Sequence, residues 1–447
     1  MKVLFINPPR SPFNAILEHA SPEAAHFIHK KLVGPPLGLL TVATAIEKEH
    51  DIAFFDMKGE YDLDPKNPGL TKLTENLITK HQPDVVASTF IASEFDYGIE
   101  IFETAKKLNQ DIITIAGGLH TSLAVHDFNL PQVDYILPGQ SAHTFRDLIN
   151  TLSQKGTVNQ IPGIIINTNN QFTATREKTT PEDAAGKDFI LPNRNYIERW
   201  KQTYKVGNHP HPITYMFSSL GCPYKCTFCS IWCQYHGRYQ KRSVESMIAE
   251  IKLLEEYQVI RFADANTVVD IKFIDHLFDR ILEEKIDKEW VMDIRADTAV
   301  KHPGLIEKLA RGGLKVVICG FESFREKELQ LYNKSSEANL IHEAIRIFHD
   351  NGIMLRGNYV IPPDYTYNDF KAIAEYTDSH RVAYAGYTVL TPMPGTPYYE
   401  QTKDRIIDHD LRKYNFFNSV FNTALPKTEF YREVSKLWLI KKGKDVI

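Results

Sequence analysis

Through the first ~185 residues, short unbroken apolar runs alternate with longer stretches in which apolar positions recur every three or four residues. The runs are Val3–Ile6, Ile52–Phe55, Val85–Ala87, Ile112–Ala116 and Tyr135–Leu137. Continuous apolar runs of this length suit strands buried on both faces. With helical patterns between them they predict a parallel α/β sheet of the Rossmann-like, doubly wound kind. Two runs end in small residues: Ser88-Thr89, and Gly117-Gly118-Leu119-His120-Thr121-Ser122. Ligands of such sheets bind outside the carboxyl ends of the strands, and small residues there let a large cofactor approach the backbone closely. The competing use of these glycines is simply to turn the chain.

Periodicity fades over 158–212, which carries Pro162, Pro181, Pro192, Pro210 and Pro212. A small hairpin is expected at Ile164–Ile166 and Gln171–Thr173, followed by a linker. From Thr214 the alternation resumes, with strands predicted at Tyr215–Ser218, Ile260–Ala263, Trp290–Ile294, Val316–Cys319, Leu355–Ile361 and Gly386–Leu390. The helical patterns between them are Ser243–Tyr257, Lys272–Lys285, Pro303–Gly312, Ala338–Asn351 and Asn368–His380. That makes about six βα units, short of the eight of a closed barrel, and leaves an open side for a substrate. The expected organisation is a first domain over 1–157, a linker over 158–212, a partial (β/α)6 barrel over 213–400 and a short C-terminal region over 401–447. The last region carries Phe416, Phe417, Phe421, Phe430, Tyr431 and Trp438 and is expected to help shape a substrate entrance.

Composition narrows the class only a little. The chain has 447 residues, 43% hydrophobic and 24% charged, with a net charge of −4. Basic residues are dispersed, so no nucleic-acid partner is expected. No apolar run approaches the ~20 residues of a membrane span. The four apolar residues Val3–Ile6 are too few for a signal peptide. A cytoplasmic protein is the expectation, with peripheral membrane contact left open.

The cysteines change the picture. Of five, four lie between 222 and 233, and the fifth is Cys319. Gly221-Cys222-Pro223-Tyr224-Lys225-Cys226-Thr227-Phe228-Cys229 follows a predicted strand and spaces three thiols as C-x3-C-x2-C on one loop. Three thiolates can hold three irons of a cubane 4Fe–4S cluster and leave the fourth iron open. A structural zinc knot using Cys233 as fourth ligand is the rival reading, but zinc sites generally pair two separated C-x2-C elements. Cys233 is expected to pack on the following helix, and Cys319 to be a small core residue near the pocket end of a strand.

With these motifs in hand, the chain resembles the radical S-adenosylmethionine (SAM) superfamily over nearly its whole length. It is most similar to the branch with an N-terminal cobalamin-binding domain. Phe228 fits the aromatic position that the family packs near the adenine. Phe262-Ala263-Asp264-Ala265-Asn266, Asp293-Ile294-Arg295-Ala296-Asp297, Gly320-Phe321-Glu322-Ser323, Gly357-Asn358-Tyr359-Val360-Ile361-Pro362 and Thr391-Pro392-Met393-Pro394-Gly395-Thr396-Pro397 resemble later family segments in the expected order. The resemblance implies SAM contacts at Phe228, Asp264, Arg295, Glu322 and Ser323. Plainer readings stand beside them: Arg295 as an ion-pair partner, Glu322 as a helix cap, Asp264 as a loop start. Gly34-Pro35-Pro36-Leu37-Gly38-Leu39-Leu40 and Ala116-Gly117-Gly118-Leu119-His120-Thr121 look like cobalamin-domain signatures. They imply cofactor contacts at Gly38, Leu39, Ser88, Thr89, Gly117, Gly118, Leu119, His120 and Gly139. One departure is Pro138-Gly139-Gln140-Ser141-Ala142, where the family usually has a glycine–acid run. The D-x-H-x-x-G box that supplies a cobalt-ligating histidine elsewhere is missing, as in this branch. His120 is read as a loop hydrogen-bond partner rather than a cobalt ligand.

The implied activity is C-methylation of an unactivated carbon in a peptide or protein side chain or a lipid. A methyl group from one SAM passes by way of methylcobalamin, while a second SAM on the cluster yields the 5′-deoxyadenosyl radical. Both cofactors are then expected to face one cavity. A flavodoxin- or ferredoxin-type electron donor is implied as well. A cyclase or rearrangement enzyme with the same cofactors is the nearest alternative, and a metal-binding scaffold is the non-enzyme one. Methylthiotransferases need further N-terminal cysteines, and none precedes Cys222.

Overall fold

The computed structural model describes residues 1–28, 32–168, 170–176, 189–206, 209–334, 338–380, 382 and 385–440. These form two compact units, Met1–Pro12 with Pro35–Thr203, and Phe13–Gly34 with Tyr204–Ile447.

The first unit is built on a seven-stranded sheet. Its strands are β1 (Lys2–Asn7), β2 (Asp51–Asp56), β3 (Val85–Thr89), β4 (Ile113–Gly117), β5 (Tyr135–Leu137), β6 (Ile165–Thr168) and β7 (Gln171–Ala174). All five predicted apolar runs are strands, in the order β2-β1-β3-β4-β5-β6-β7. The first five are parallel. The chain steps from β1 to one side and returns on the other to make β3, so the β1/β3 junction is a topological switch point. Val3 and Phe5 pack on one face and Leu4 and Ile6 on the other, which is why the run reads as continuously apolar.

Two expectations need correcting here. The predicted hairpin is present, but β6 pairs antiparallel with β5 and extends the sheet instead of belonging to a linker. Residues Arg194–Thr203 also belong to this unit. The carboxylate of Glu60 accepts two 2.8 Å bonds from Arg199 and one of 2.7 Å from the indole of Trp200, holding the segment down. Pro181 of the expected linker lies outside the described residues.

The second unit carries six parallel strands in sequential order: β8 (Ile213–Met216), β9 (Val259–Phe262), β10 (Glu289–Asp293), β11 (Leu314–Glu322), β12 (Met354–Ile361) and β13 (Gly386–Val389). Sequential parallel order with helices between is the topology of an open barrel, as expected. Its helices start where local chemistry provides a cap. Asp270 accepts from the backbone N–H of Phe273 at 3.0 Å, and Pro303 stands in the first turn of Pro303–Arg311. The outer core joins Ile260, Phe262, Trp290, Met292, Val317, Leu355 and Tyr387 to the covering helices. Cys319 lies in this core, on the side of the helices.

Phe13–Gly34, expected in the first domain, folds with the barrel unit. The side-chain amides of Asn415 and Asn418 donate to the carbonyl of Phe13 at 2.6 and 3.1 Å, and His19 stacks on Tyr431 at 5.7 Å. Phe430 and Tyr431 of the final helix, Lys427–Leu437, are fully buried in the same core. These two therefore stabilise the barrel rather than shape an entrance, because large aromatic surfaces gain most from exclusion of water. No helix among the described residues is long and apolar enough to cross a membrane.

Candidate functional site

The cysteine loop is aimed by the short strand Ser219–Gly221, which pairs antiparallel with Tyr239–Lys241. Gly221 has φ +79, and a Cβ there would lie 2.1 Å from the carbonyl of Arg238, so only glycine fits the turn into the loop. Behind it, the buried carboxylate of Asp264 accepts from the backbone N–H groups of Ser218 and Ser219, both at 2.9 Å, and from the Ser218 hydroxyl at 2.5 Å. Burial, against these bonds, pushes Asp264 up to about 6. Arg242, ion-paired with Glu250 in the interior, donates to the carbonyl of Phe217 at 2.9 Å and holds the same segment from below.

On that platform Cys222 and Cys226 are buried and Cys229 is partly so. Burial raises all three thiols, Cys229 to about 11. The positive charges of Arg295 and Lys334 oppose this at Cys222 and Cys226, and the backbone N–H groups of Ile231 and Trp232 oppose it at Cys229. Cys229 feels the charge of both other thiols. No group of three or more His, Cys, Asp or Glu among the described residues is drawn together tightly enough for a single metal ion. A cubane cluster spreads its thiolates around a larger body than one ion. Three soft donors on one loop, with two cations nearby to favour thiolates, fit that group by donor chemistry. Cys233 stands apart: its thiol donates to the carbonyl of Cys229 at 3.4 Å on the short helix Ser230–Gln234.

The other candidates divide into two sets. Arg295 is buried, forks onto Asp297 at 2.8 and 3.2 Å and lies 3.9 Å from the centre of the Tyr224 ring within the cysteine loop. Glu322 ends β11 with φ +63, and its carboxylate pairs with Lys334 at 2.9 Å. A side chain at Gly320 would strike that carboxylate, at 2.3 Å. Phe228 meets the edge of Tyr332 at 5.5 Å. These residues surround the thiols. Asp264 and Ser323 do not present free groups: Asp264 is taken up by the strand before the loop, and Ser323 donates to Glu328 at 2.5 Å. Lys334 went unnoticed in the sequence, because a lysine between two helices within Asn333-Lys334-Ser335-Ser336 looks like any solvated linker residue.

In the first unit the loops after β3, β4 and β5 meet. Phe90 donates its N–H to the carbonyl of Gly117, and His120 donates to that of Phe90, at 2.8 and 2.9 Å. The Ser122 hydroxyl donates to the carbonyl of Gly118 at 3.0 Å and accepts from the N–H of Gly139 at 2.8 Å. Gly118 has φ +106, and a Cβ there would sit 2.6 Å from the Thr89 hydroxyl and 2.7 Å from the Phe90 nitrogen. A Cβ on Gly139 or Gly38 would meet nothing within 4 Å, which leaves the backbone bare for a ligand. Thr89, Gly117, Gly118, Leu119 and Gly139 thus share the carboxyl end of the sheet, a cradle fit for a large flat cofactor. Ser88 instead donates to the carbonyl of Ile6 at 2.9 Å, and Leu39 is in the core with Val3 and Phe5. His120 is buried, with Nε2 2.9 Å from Asp127 and its ring against Phe95 and Phe128. That is the loop hydrogen-bond role expected of it.

The sequence matches the Radical SAM superfamily over residues 216–377 and the B12 binding domain over 27–149. It is 26% identical to an uncharacterised methyltransferase of Pyrococcus horikoshii across 90% of this chain and 86% of that one. It is 25% identical to the hopanoid C-3 methylase of Methylococcus capsulatus across 90% and 75%. An anaerobic magnesium-protoporphyrin IX monomethyl ester cyclase of Cereibacter sphaeroides is 25% identical across 86% and 63%. In fold the chain is similar to the radical SAM methyltransferase TsrM of Kitasatospora setae, solved with cobalamin and a [4Fe-4S] cluster. The TM-score is 0.71 at 15% identity, over 99% of this chain and 91% of that one.

Proposed function

The chain belongs to the cobalamin-dependent radical SAM enzymes, with a 4Fe–4S cluster, SAM and cobalamin as cofactors, and from that premise we propose that it is a C-methyltransferase acting on an unactivated carbon. The observation that carries the proposal is the pairing of a three-thiol loop on an open barrel with a glycine cradle on a separate switch-point sheet. When bound, the cluster with SAM supplies a hydrogen-abstracting radical, and cobalamin supplies a transferable methyl group.

The chain's own residues do the positioning. Cys222, Cys226 and Cys229 hold the cluster as thiolates, with Arg295 and Lys334 offsetting their negative charge. Glu322 presents a carboxylate to the amino group of SAM, and the ion pair with Lys334 fixes its position. Phe228, braced by Tyr332, offers an apolar face to the adenine. Thr89, Gly117, Gly118 and Gly139 form the cobalamin bed. A peptide or protein side chain, or a lipid, is the substrate class, and a flavodoxin- or ferredoxin-type protein is the electron donor. A second reading, cyclisation, is favoured by the cyclase relative. SAM labelled in its methyl group separates the two: label in the product supports transfer, and an unlabelled rearranged product supports cyclisation.

A further inference from the structure

Alternate residues of the barrel strands enter the helix-covered core, among them Met216, Ile260, Phe262, Met292, Val317 and Leu355. The residues between them, Tyr215, Arg261, Asp293, Ile318 and Arg356, therefore point to the inner face. Three of these are charged, an expensive choice for a barrel interior unless the charges are matched. Arg261 and Asp293 match one another at 2.8 Å, and the Arg261 guanidinium also lies 5.4 Å from the centre of the Tyr215 ring.

Arg356 is left over. It feels Arg261, Asp293 and Tyr215 at a distance, and among the described residues it makes no hydrogen bond or ion pair. Burial foremost, and then the charge of Arg261, depress its proton affinity. The side chain of Asn358, two residues on and on the same face, is likewise without a hydrogen-bond partner among the described residues. Gly386, paired with Asn358 across the sheet, makes the room for both. A Cβ there would lie 2.7 Å from the Asn358 side-chain oxygen and 3.5 and 3.6 Å from the Arg356 Nε and Nη2.

We propose that Arg356 and Asn358 form the recognition site for a carboxylate group of the substrate, on the inner face of the barrel. The inference rests on the methyl-transfer reading and gives its substrate an acid group. One uncompensated positive charge calls for one negative charge. A planar guanidinium fork beside an amide suits the two oxygens of a carboxylate, whereas a phosphate dianion would need a second free cation, and Arg261 is already engaged by Asp293. Arg356 is level with Ile318, and Glu322 ends the strand of Ile318 four residues on, at most roughly 13 Å away because that strand is irregular between Gly320 and Glu322. A substrate anchored at Arg356 therefore spans the barrel interior toward the end where the thiol loop and Glu322 stand.

The test uses the cluster-reconstituted, cobalamin-loaded protein under anaerobic conditions with saturating SAM. Propionate and benzoate, their amides and inorganic phosphate serve as probes, and binding is read by saturation-transfer NMR. The expected result is carboxylates binding about tenfold or more tightly than their amides, a preference lost in Arg356→Gln and weakened in Gly386→Ala. Equal binding of acid and amide to the unaltered protein, undiminished binding by Arg356→Gln, or a preference for phosphate overturns the proposal. Carboxylate binding that appears only when SAM is left out also overturns it, since the site would then belong to SAM. Dithionite-driven formation of 5′-deoxyadenosine is followed alongside. If it fails in the unaltered protein, the methyl-transfer reading falls; if it persists while carboxylates fail to bind, only this inference falls.

Discussion

Replacing Asp264 tests how the cysteine loop is held. Asp264→Ala leaves the backbone N–H groups of Ser218 and Ser219 buried without acceptors. At about 1–3 kcal/mol for each of the two orphaned groups, the loss is roughly 2–6 kcal/mol, concentrated in the strand three residues before Cys222. Asp264→Asn behaves differently. Its carbonyl oxygen can accept both N–H bonds, and its amide can donate to the Ser218 hydroxyl. It also removes an acid that folding raises from 3.8 to about 6. A raised acid stabilises the folded state below its unfolded value, and that contribution is lost as pH climbs through the folded value. The full swing, reached only below about pH 3, is about 3 kcal/mol, of which about 1 kcal/mol is already present at pH 5. Urea unfolding of the cluster-free protein at pH 5.0 and 7.5 measures it. The stability of the unaltered protein relative to Asp264→Asn should rise by about 1 kcal/mol on going from pH 7.5 to 5.0. Asp264→Asn should retain iron after reconstitution, and Asp264→Ala should lose most of it. A pH-independent difference, or full iron in the alanine variant, refutes the anchoring argument. Loss of SAM binding with intact iron in Asp264→Asn would make the residue a SAM contact instead.

Three other outcomes follow from the same geometry. Gly118→Ala forces a Cβ into Thr89 and Phe90 at φ +106, so it should abolish cobalamin retention, read from the visible spectrum, while SAM cleavage persists. His120→Phe removes the bond to Asp127 but should leave the cobalt coordination spectrum unchanged, because the ring is sealed between Phe95 and Phe128. Lys334→Met frees Glu322 from its partner and should weaken SAM binding at least about tenfold, by equilibrium dialysis, while most of the iron is retained because Arg295 still offsets the thiolate charge.

The first sheet was legible because its strands are buried on both faces and read as apolar runs such as Val3–Ile6, whereas the barrel strands, interrupted by Arg261, Asp293, Arg356 and Asn358, were legible from their regular alternation with helical patterns. The thiol loop was legible because its chemistry fits into one short motif. What sequence could not convey depends on distant partners. Asp264 reads like any loop-starting acid until Ser218 and Ser219 are seen folded onto it. Among its described residues, Phe13–Gly34 offers two short helices and a two-residue strand, too little pattern to show which unit they join. The same holds for Phe430 and Tyr431, whose aromatic surfaces serve equally well in a core or at an entrance until packing decides.

Iron and acid-labile sulfide in the anaerobically reconstituted protein, read together with the electron paramagnetic resonance of the reduced sample before and after adding SAM, decide whether Cys222, Cys226 and Cys229 hold a cluster that binds SAM. Four irons per chain and a signal that shifts when SAM is added are expected, with both lost in Cys226→Ala. One zinc and no iron, or a signal indifferent to SAM, would rule out a SAM-binding cluster on these thiols.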